Sequence, residues 1–139
     1  MIKKILLAHD GSELAEKAFT FGLDLAKKYG AELYVLAVAR PPEFGGGGVE
    51  TEALLENYRK YYHNIFKPLR VKVTDEGVEA YFEVAVGHTA EQIVYHADKY
   101  EVYLIIVGHR GHTFFERWLI GSVANHVINN AHCAVLVTR

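Results

Sequence analysis

Five short apolar runs, separated by segments that repeat with helical period, restrict this chain to one class of fold. The runs are Lys4–Ala8, Leu33–Ala39, Val78–Val86, Tyr103–Val107 and Ala134–Thr138. Most are nearly continuously apolar and rich in β-branched residues, the pattern of strands covered on both faces. Helical crossovers between such strands make them parallel neighbours in one sheet. The expectation is a doubly wound α/β domain with helices on both faces of a parallel sheet.

The connecting helices carry their own punctuation. Ser12, with Glu13 in the first turn, reads as the N-cap of a helix that presents Leu14, Ala18, Gly22, Leu25 and Tyr29 on one face and stops at Gly30. Leu54, Tyr58, Tyr61, Ile65, Leu69 and Val73 predict a long second helix that kinks or breaks near Pro68. Thr89 and Gln92 have the spacing of a capping box for a short helix through Lys99. After Ser122, the residues Val123, Ala124, Val127, Ile128 and Ala131 recur at helical spacing.

A chain of 139 residues, half of them hydrophobic, is expected to form a single domain, 1–139, with a proper core. The formal net charge of −2 gives no electrostatic reason to expect nucleic acid or an anionic membrane. The opening Met1-Ile2-Lys3-Lys4 leads into an apolar run too short for a secretory signal, and no stretch has the length of a membrane span. One cysteine, Cys133, excludes an intrachain disulfide. The expected setting is soluble and cytoplasmic.

The chemistry concentrates after the fourth run. Gly108, two residues, Gly111, nine residues, then Gly121-Ser122 stand between a strand and a helix. Glycines there let the backbone take a positive φ and come close to a ligand, and the free N–H groups of a helix start favour an anion. Ser122 adds a hydroxyl donor. The spacing is neither a Walker A loop, since no lysine precedes Ser122, nor the Gly-x-Gly-x-x-Gly of dinucleotide folds.

This signature resembles that of the universal stress protein family, ATP-binding type. The resemblance extends to Asp10-Gly11-Ser12 after the first strand and to the closing Cys133-Ala134-Val135-Leu136-Val137, so it covers essentially the whole chain. It implies a five-stranded sheet of order 3-2-1-4-5, whose strand order reverses between strands one and four. Ligands of such sheets bind beyond the carboxyl ends at that reversal. The implied site there comprises Ala8, Asp10, Val38, Val107, Gly108, Gly111, His112, Gly121, Ser122 and Val123. Asp10 would hold a ribose or adenine polar group, the Val38 backbone would meet the adenine edge, and the glycines with Ser122 and Val123 would contact phosphates. The implied ligand is ATP, with Mg²⁺ or Mn²⁺ held mainly by phosphate oxygens and water. The implied assembly is a homodimer through the last strand, where a proline at Leu136 is expected to remove one edge N–H.

The remaining candidates each have a plain reading and a functional one. Asp10-Gly11-Ser12 is also ordinary turn and capping chemistry. His9, His109 and His112 could crowd the phosphate end as metal ligands, or be solvated, or bind a phosphate oxygen; His112 stands where the family often has lysine or arginine. Gly45–Gly48 is a lid or a spacer. Tyr58, Tyr61 and Tyr62 are expected to cover core or a partner, Trp118 to anchor its loop, and Cys133 to begin a buried strand as a small core residue. Ser122 has no assignable histidine and carboxylate, and no catalytic constellation is evident. The reading is a small stress-response or regulatory module that holds nucleotide. Its alternatives are a slow ATPase or phosphotransferase and an interaction protein that binds no nucleotide.

Overall fold

The computed structural model describes residues 1–41, 48–109 and 120–139. Strands β1 (Lys4–Ala8), β2 (Glu32–Ala39), β3 (Ala80–Val86), β4 (Leu104–Gly108) and β5 (Ala134–Thr138) alternate with helices α1 (Glu13–Tyr29), α2 (Val49–Asp75), α3 (Thr89–Tyr100) and α4 (Ser122–Asn130). The five strands form one parallel sheet of order β3-β2-β1-β4-β5. Fold class and strand order agree with expectation.

Strand alternation divides the core into two layers. Ile5, Leu7, Leu33, Val35 and Ile106 face Phe19 of α1 and Phe66 and Leu69 of α2. Leu6, Leu36, Ile105 and Val107 face Ile93 of α3 and Ala124 and Val127 of α4. Each fully buried Leu, Ile or Phe contributes about 1.5–3 kcal/mol.

The expected face of α1 is corrected. Its buried residues are Ala15, Ala18, Phe19, Gly22 and Ala26, whereas Tyr29 is exposed and Leu14 and Leu25 are half-buried. The reason is close approach: a Cβ on Gly22 would lie 3.3 Å from both Ile106 and Leu7, so small residues form the seam against the sheet. Ser12 and Gly30 cap this helix as expected, Ser12 Oγ accepting from the Ala15 N–H and Gly30 sitting at φ 64°.

Helix α2 runs unbroken through Pro68. The ring lies on the exposed face while Phe66 and Leu69 are buried, so packing offsets a substitution that costs about 3 kcal/mol in an isolated helix. The Thr89–Gln92 capping box is also corrected. Thr89 is already helical, His88 is the N-cap without a side-chain bond, and the Gln92 amide packs over Gly87 at φ 147°.

Strand β5 is half-buried and lies at a sheet edge, and Cys133 precedes it; the expected buried strand is not what forms. The His109 N–H donates to Thr138 O, which fixes the parity of β5. With a two-residue period, Leu136 also points its backbone groups at β4, so the edge N–H groups belong to Val135 and Val137. A proline at Leu136 would break the sheet itself, not its edge.

Candidate functional site

The sheet opens where β1 and β4 end. A cavity of about 640 Å³ lies there, walled by the carboxyl ends of β1, β2 and β4 and by α2 and the start of α4. Of the expected site residues, it brings together Ala8, Asp10, Val38, Val107, Gly108, Gly121, Ser122 and Val123. Gly111 and His112 lie outside the described residues, as do Gly45–Gly47 of the glycine run and Trp118.

Backbone direction gives the crevice one recognition edge. The last β1–β2 pair is Ala8 with Leu36, and the His9 N–H then donates to Leu36 O at 2.8 Å. Ala39 O accepts from Gly87 N on the β3 side. By the two-residue period, Val38 therefore turns its N–H and C=O toward the side from which β1 has already departed. A flat heterocycle with a donor and an acceptor on one edge matches such a pair.

The opposite wall is a helix start. Gly121 is the N-cap of α4 and supplies no side-chain bond to it. The first N–H groups of any helix lack intrahelical partners and carry its positive end, so this wall suits an anion. The expected left-handed glycines are corrected here: Gly121 has φ −63°, and Gly108 is absent from the residues with positive φ. What glycine provides at both is the missing side chain.

Asp10 does take part in turn chemistry. Its Oδ1 accepts from the Ser12 N–H at 3.0 Å and the Ser12 hydroxyl at 2.5 Å, while Ser12 caps α1. Between them Gly11, at φ 86°, leaves no room for a Cβ, which would lie 2.7 Å from Tyr61 Oη.

The histidines depart from the solvated reading. His9 and His109 are buried at 2% and 5% exposure and both line the cavity. His9 Nδ1 accepts from the Gly11 N–H, which leaves the proton on Nε2, 3.3 Å from Glu16 Oε1. Burial lowers the His9 pKa and outweighs the upward pull of Glu16 and Asp10, so the ring is neutral. His109 Nε2 is buried and, among the described residues, has no hydrogen-bond partner. Among the described residues, no group of three or more His, Cys, Asp or Glu side chains could hold a metal ion.

Sequence reasoning missed the α2 wall and Arg40. Tyr58 and Tyr62 reach the cavity four residues apart on one helix face, and Arg40 enters from the end of β2. Burial, with the Asp10 carboxylate nearby, pushes the Tyr62 phenol up to about 12. The i, i+4 tyrosines were the available signal. Cys133 has its thiol pushed up by burial, in keeping with a packing role. No helix among the described residues is long and apolar enough to cross a membrane.

Comparison with known proteins agrees with the fold. The family model for the universal stress protein family matches residues 1–139. Universal stress protein MJ0531 of Methanocaldococcus jannaschii is 35% identical over 141 residues, spanning 100% of this chain and 83% of that protein. The solved structure used for structure-based assignment of the biochemical function of hypothetical protein MJ0577 is 30% identical, with a TM-score of 0.87 over 99% of this chain and 96% of that one. The universal stress protein from Archaeoglobus fulgidus in complex with dAMP is 25% identical, with a TM-score of 0.65 and complete coverage of both chains.

Proposed function

The chain belongs to the universal stress protein family, and we propose that it is a regulatory module that holds ATP in the crevice at the carboxyl ends of β1, β2 and β4. The observation that carries this reading is the single cavity in which the outward-facing Val38 backbone lies across from the uncapped start of α4. In the proposed complex, the Val38 N–H and C=O read the adenine edge and Asp10 accepts from a ribose hydroxyl. The phosphates lie against the amides of Gly121, Ser122 and Val123, where no Cβ intrudes at Gly108 or Gly121. Ala8 and Val107 form the crevice floor.

The proposed set also includes Gly111 and His112. Mg²⁺ or Mn²⁺ would arrive with the triphosphate, held mainly by phosphate oxygens and water. The complex of the Archaeoglobus fulgidus relative with dAMP supports an adenine nucleotide as the ligand class. We further propose a cytoplasmic homodimer paired through the free edge of β5, because pairing removes an exposed strand edge.

Calorimetric titration with ATP and GTP tests the reading. ATP should bind and GTP should bind markedly more weakly, since guanine reverses the donor–acceptor order on that edge. Equal affinities would remove the Val38 role, and no binding of either would leave an interaction protein on the same fold.

A further inference from the structure

The nine tyrosines of the chain differ in what their phenols bond to. A second cavity of about 220 Å³, between β2, β3 and α3, is walled by a ladder of three of them. Tyr34 stacks against Tyr81 at 5.1 Å and against Tyr100 at 4.5 Å, with interplanar angles of 24° and 17°. Each phenol of the ladder donates to a carboxylate: Tyr34 to Glu32 at 3.0 Å, Tyr81 to Glu79 at 2.5 Å, and Tyr100 to Glu83. Those donors are satisfied within the fold.

Tyr62 is the contrast. It is the one buried tyrosine of the nine, at 7% exposure, with its ring held against Tyr61 and Phe66 at centroid distances of 5.1 and 6.4 Å. Its hydroxyl forms no hydrogen bond among the described residues, although Asp10 is near enough for its charge to act on the phenol. A buried phenol usually has a partner, and one left without carries the full cost of its desolvation. Tyr62 also lines the crevice, so its donor belongs to the space that a ligand would fill.

The packing of α2 fixes which part of a ligand it would meet. A Cβ on Gly11 would lie 2.7 Å from Tyr61 Oη and 3.1 Å from Ile65 Cδ1, so the turn of α2 that carries Tyr62 sits on the end of β1. In the sheet, β1 stands between β2 and β4. A ligand reaching from the Val38 edge of β2 to the start of α4 therefore passes over the end of β1. In a nucleotide, the part between base and phosphates is the sugar. A donor and an acceptor held near each other without bonding match a hydroxyl, which accepts one hydrogen bond and donates another.

We propose that Tyr62 is a specificity-determining residue of the crevice: its O–H donates to a sugar hydroxyl of the bound nucleotide, which in turn donates to the Asp10 carboxylate. The inference rests on the nucleotide reading above and narrows its ligand class to ribonucleotides over their deoxy counterparts. A ligand without that hydroxyl would leave a buried donor and a carboxylate unpaired, the condition under which such sites discriminate most strongly.

Calorimetry with ATP, 2′-deoxy-ATP and 3′-deoxy-ATP, on the parent and on Tyr62→Phe, tests this. The parent should bind one deoxy analogue about fiftyfold more weakly than ATP, which also identifies the hydroxyl. In Tyr62→Phe the ratio should fall to about tenfold, the part contributed by the bond to Asp10. Phenylalanine keeps the buried ring and removes no bond from the fold, so the urea midpoint should not fall. A lowered midpoint would assign the hydroxyl to the fold and overturn the proposal. An unchanged ratio in Tyr62→Phe, or a parent that binds ATP and both analogues equally, would overturn it while leaving nucleotide binding intact. Binding of none of the three would overturn both.

Discussion

The two cavities occupy different stretches of the same sheet and are built from different groups. The carboxyl-end crevice is made of backbone: the Val38 edge, a helix start with no side-chain cap and two glycines without left-handed strain, with the buried His9 and His109 rings behind them. The tyrosine ladder is made of side chains: three rings and three carboxylates fixed by phenol donors. A parallel sheet explains why they divide this way. Its carboxyl ends release loops and helix starts whose N–H groups attract anions, whereas a mid-strand position can contribute only what its side chain carries.

The largest effect that could break this contrast is at the helix start. Gly121→Val should weaken ATP binding by about a hundredfold, about 3 kcal/mol, because a branched side chain would occupy the space where phosphate meets the amides. Its φ of −63° is open to any residue, so far-UV circular dichroism should hardly change. Tyr34 and Tyr81 ring signals should stay in place. Calorimetry together with NMR checks both halves, and ATP affinity equal to the parent would move the anion wall elsewhere.

Asp10 separates structure from recognition within the crevice. Asp10→Ala removes the acceptor of two Ser12 hydrogen bonds and should cost about 1–2 kcal/mol of stability, read by urea unfolding. It should also weaken ATP about tenfold if a ribose hydroxyl donates to this carboxylate. Asp10→Asn keeps an Oδ1 acceptor for Ser12 and should restore stability without restoring full affinity. Recovery of both would reduce Asp10 to a turn residue.

How much was legible in the sequence follows the same division. The strands were readable because apolar runs must be buried, and the caps of α1 because Ser12 and Gly30 act on their own neighbours. The glycine spacing marked the crevice for a similar reason, since loop chemistry is written contiguously. The buried face of α1 was misread because hydrophobicity favours Leu14 and Tyr29, whereas close approach to Leu7 and Ile106 selects alanine and Gly22. Tyr58, Tyr62 and Arg40 were missed as crevice residues because only tertiary packing brings α2 and the end of β2 there. The ladder was invisible for a stronger reason. Tyr34, Tyr81 and Tyr100 come from three elements, and their stacking depends on the β2–β3 register.

A smaller effect sharpens the ladder side. Tyr81→Ala should cost about 1 kcal/mol through the lost stack on Tyr34, since aromatic pairs contribute about 0.5–1.5 kcal/mol beyond their buried area. ATP affinity should not change, because Tyr81 lies outside the crevice. A change in ATP affinity would show the two regions to be coupled through β2 and not independent.

The smallest expected effects are in the pH dependence of stability, and they have opposite signs in the two regions. Burial raises the Tyr34 phenol to about 12, so its contribution is complete below the unfolded value near 10 and is lost as pH rises through 10 to 12. Tyr62 in the crevice wall does the same, so Tyr34→Phe should flatten only part of the alkaline limb. His9 behaves inversely. Burial lowers its pKa below 6.5, so the unfolded chain binds the proton more readily. Its contribution is therefore complete above pH 6.5 and is lost as pH falls below that value. His9→Asn, which can still accept from the Gly11 N–H, should flatten the acid limb and leave the alkaline one alone. Urea midpoints measured across the pH range check both limbs. An acid limb as steep in the His9→Asn protein as in the parent would mean that the crevice imidazole is not held neutral by its burial.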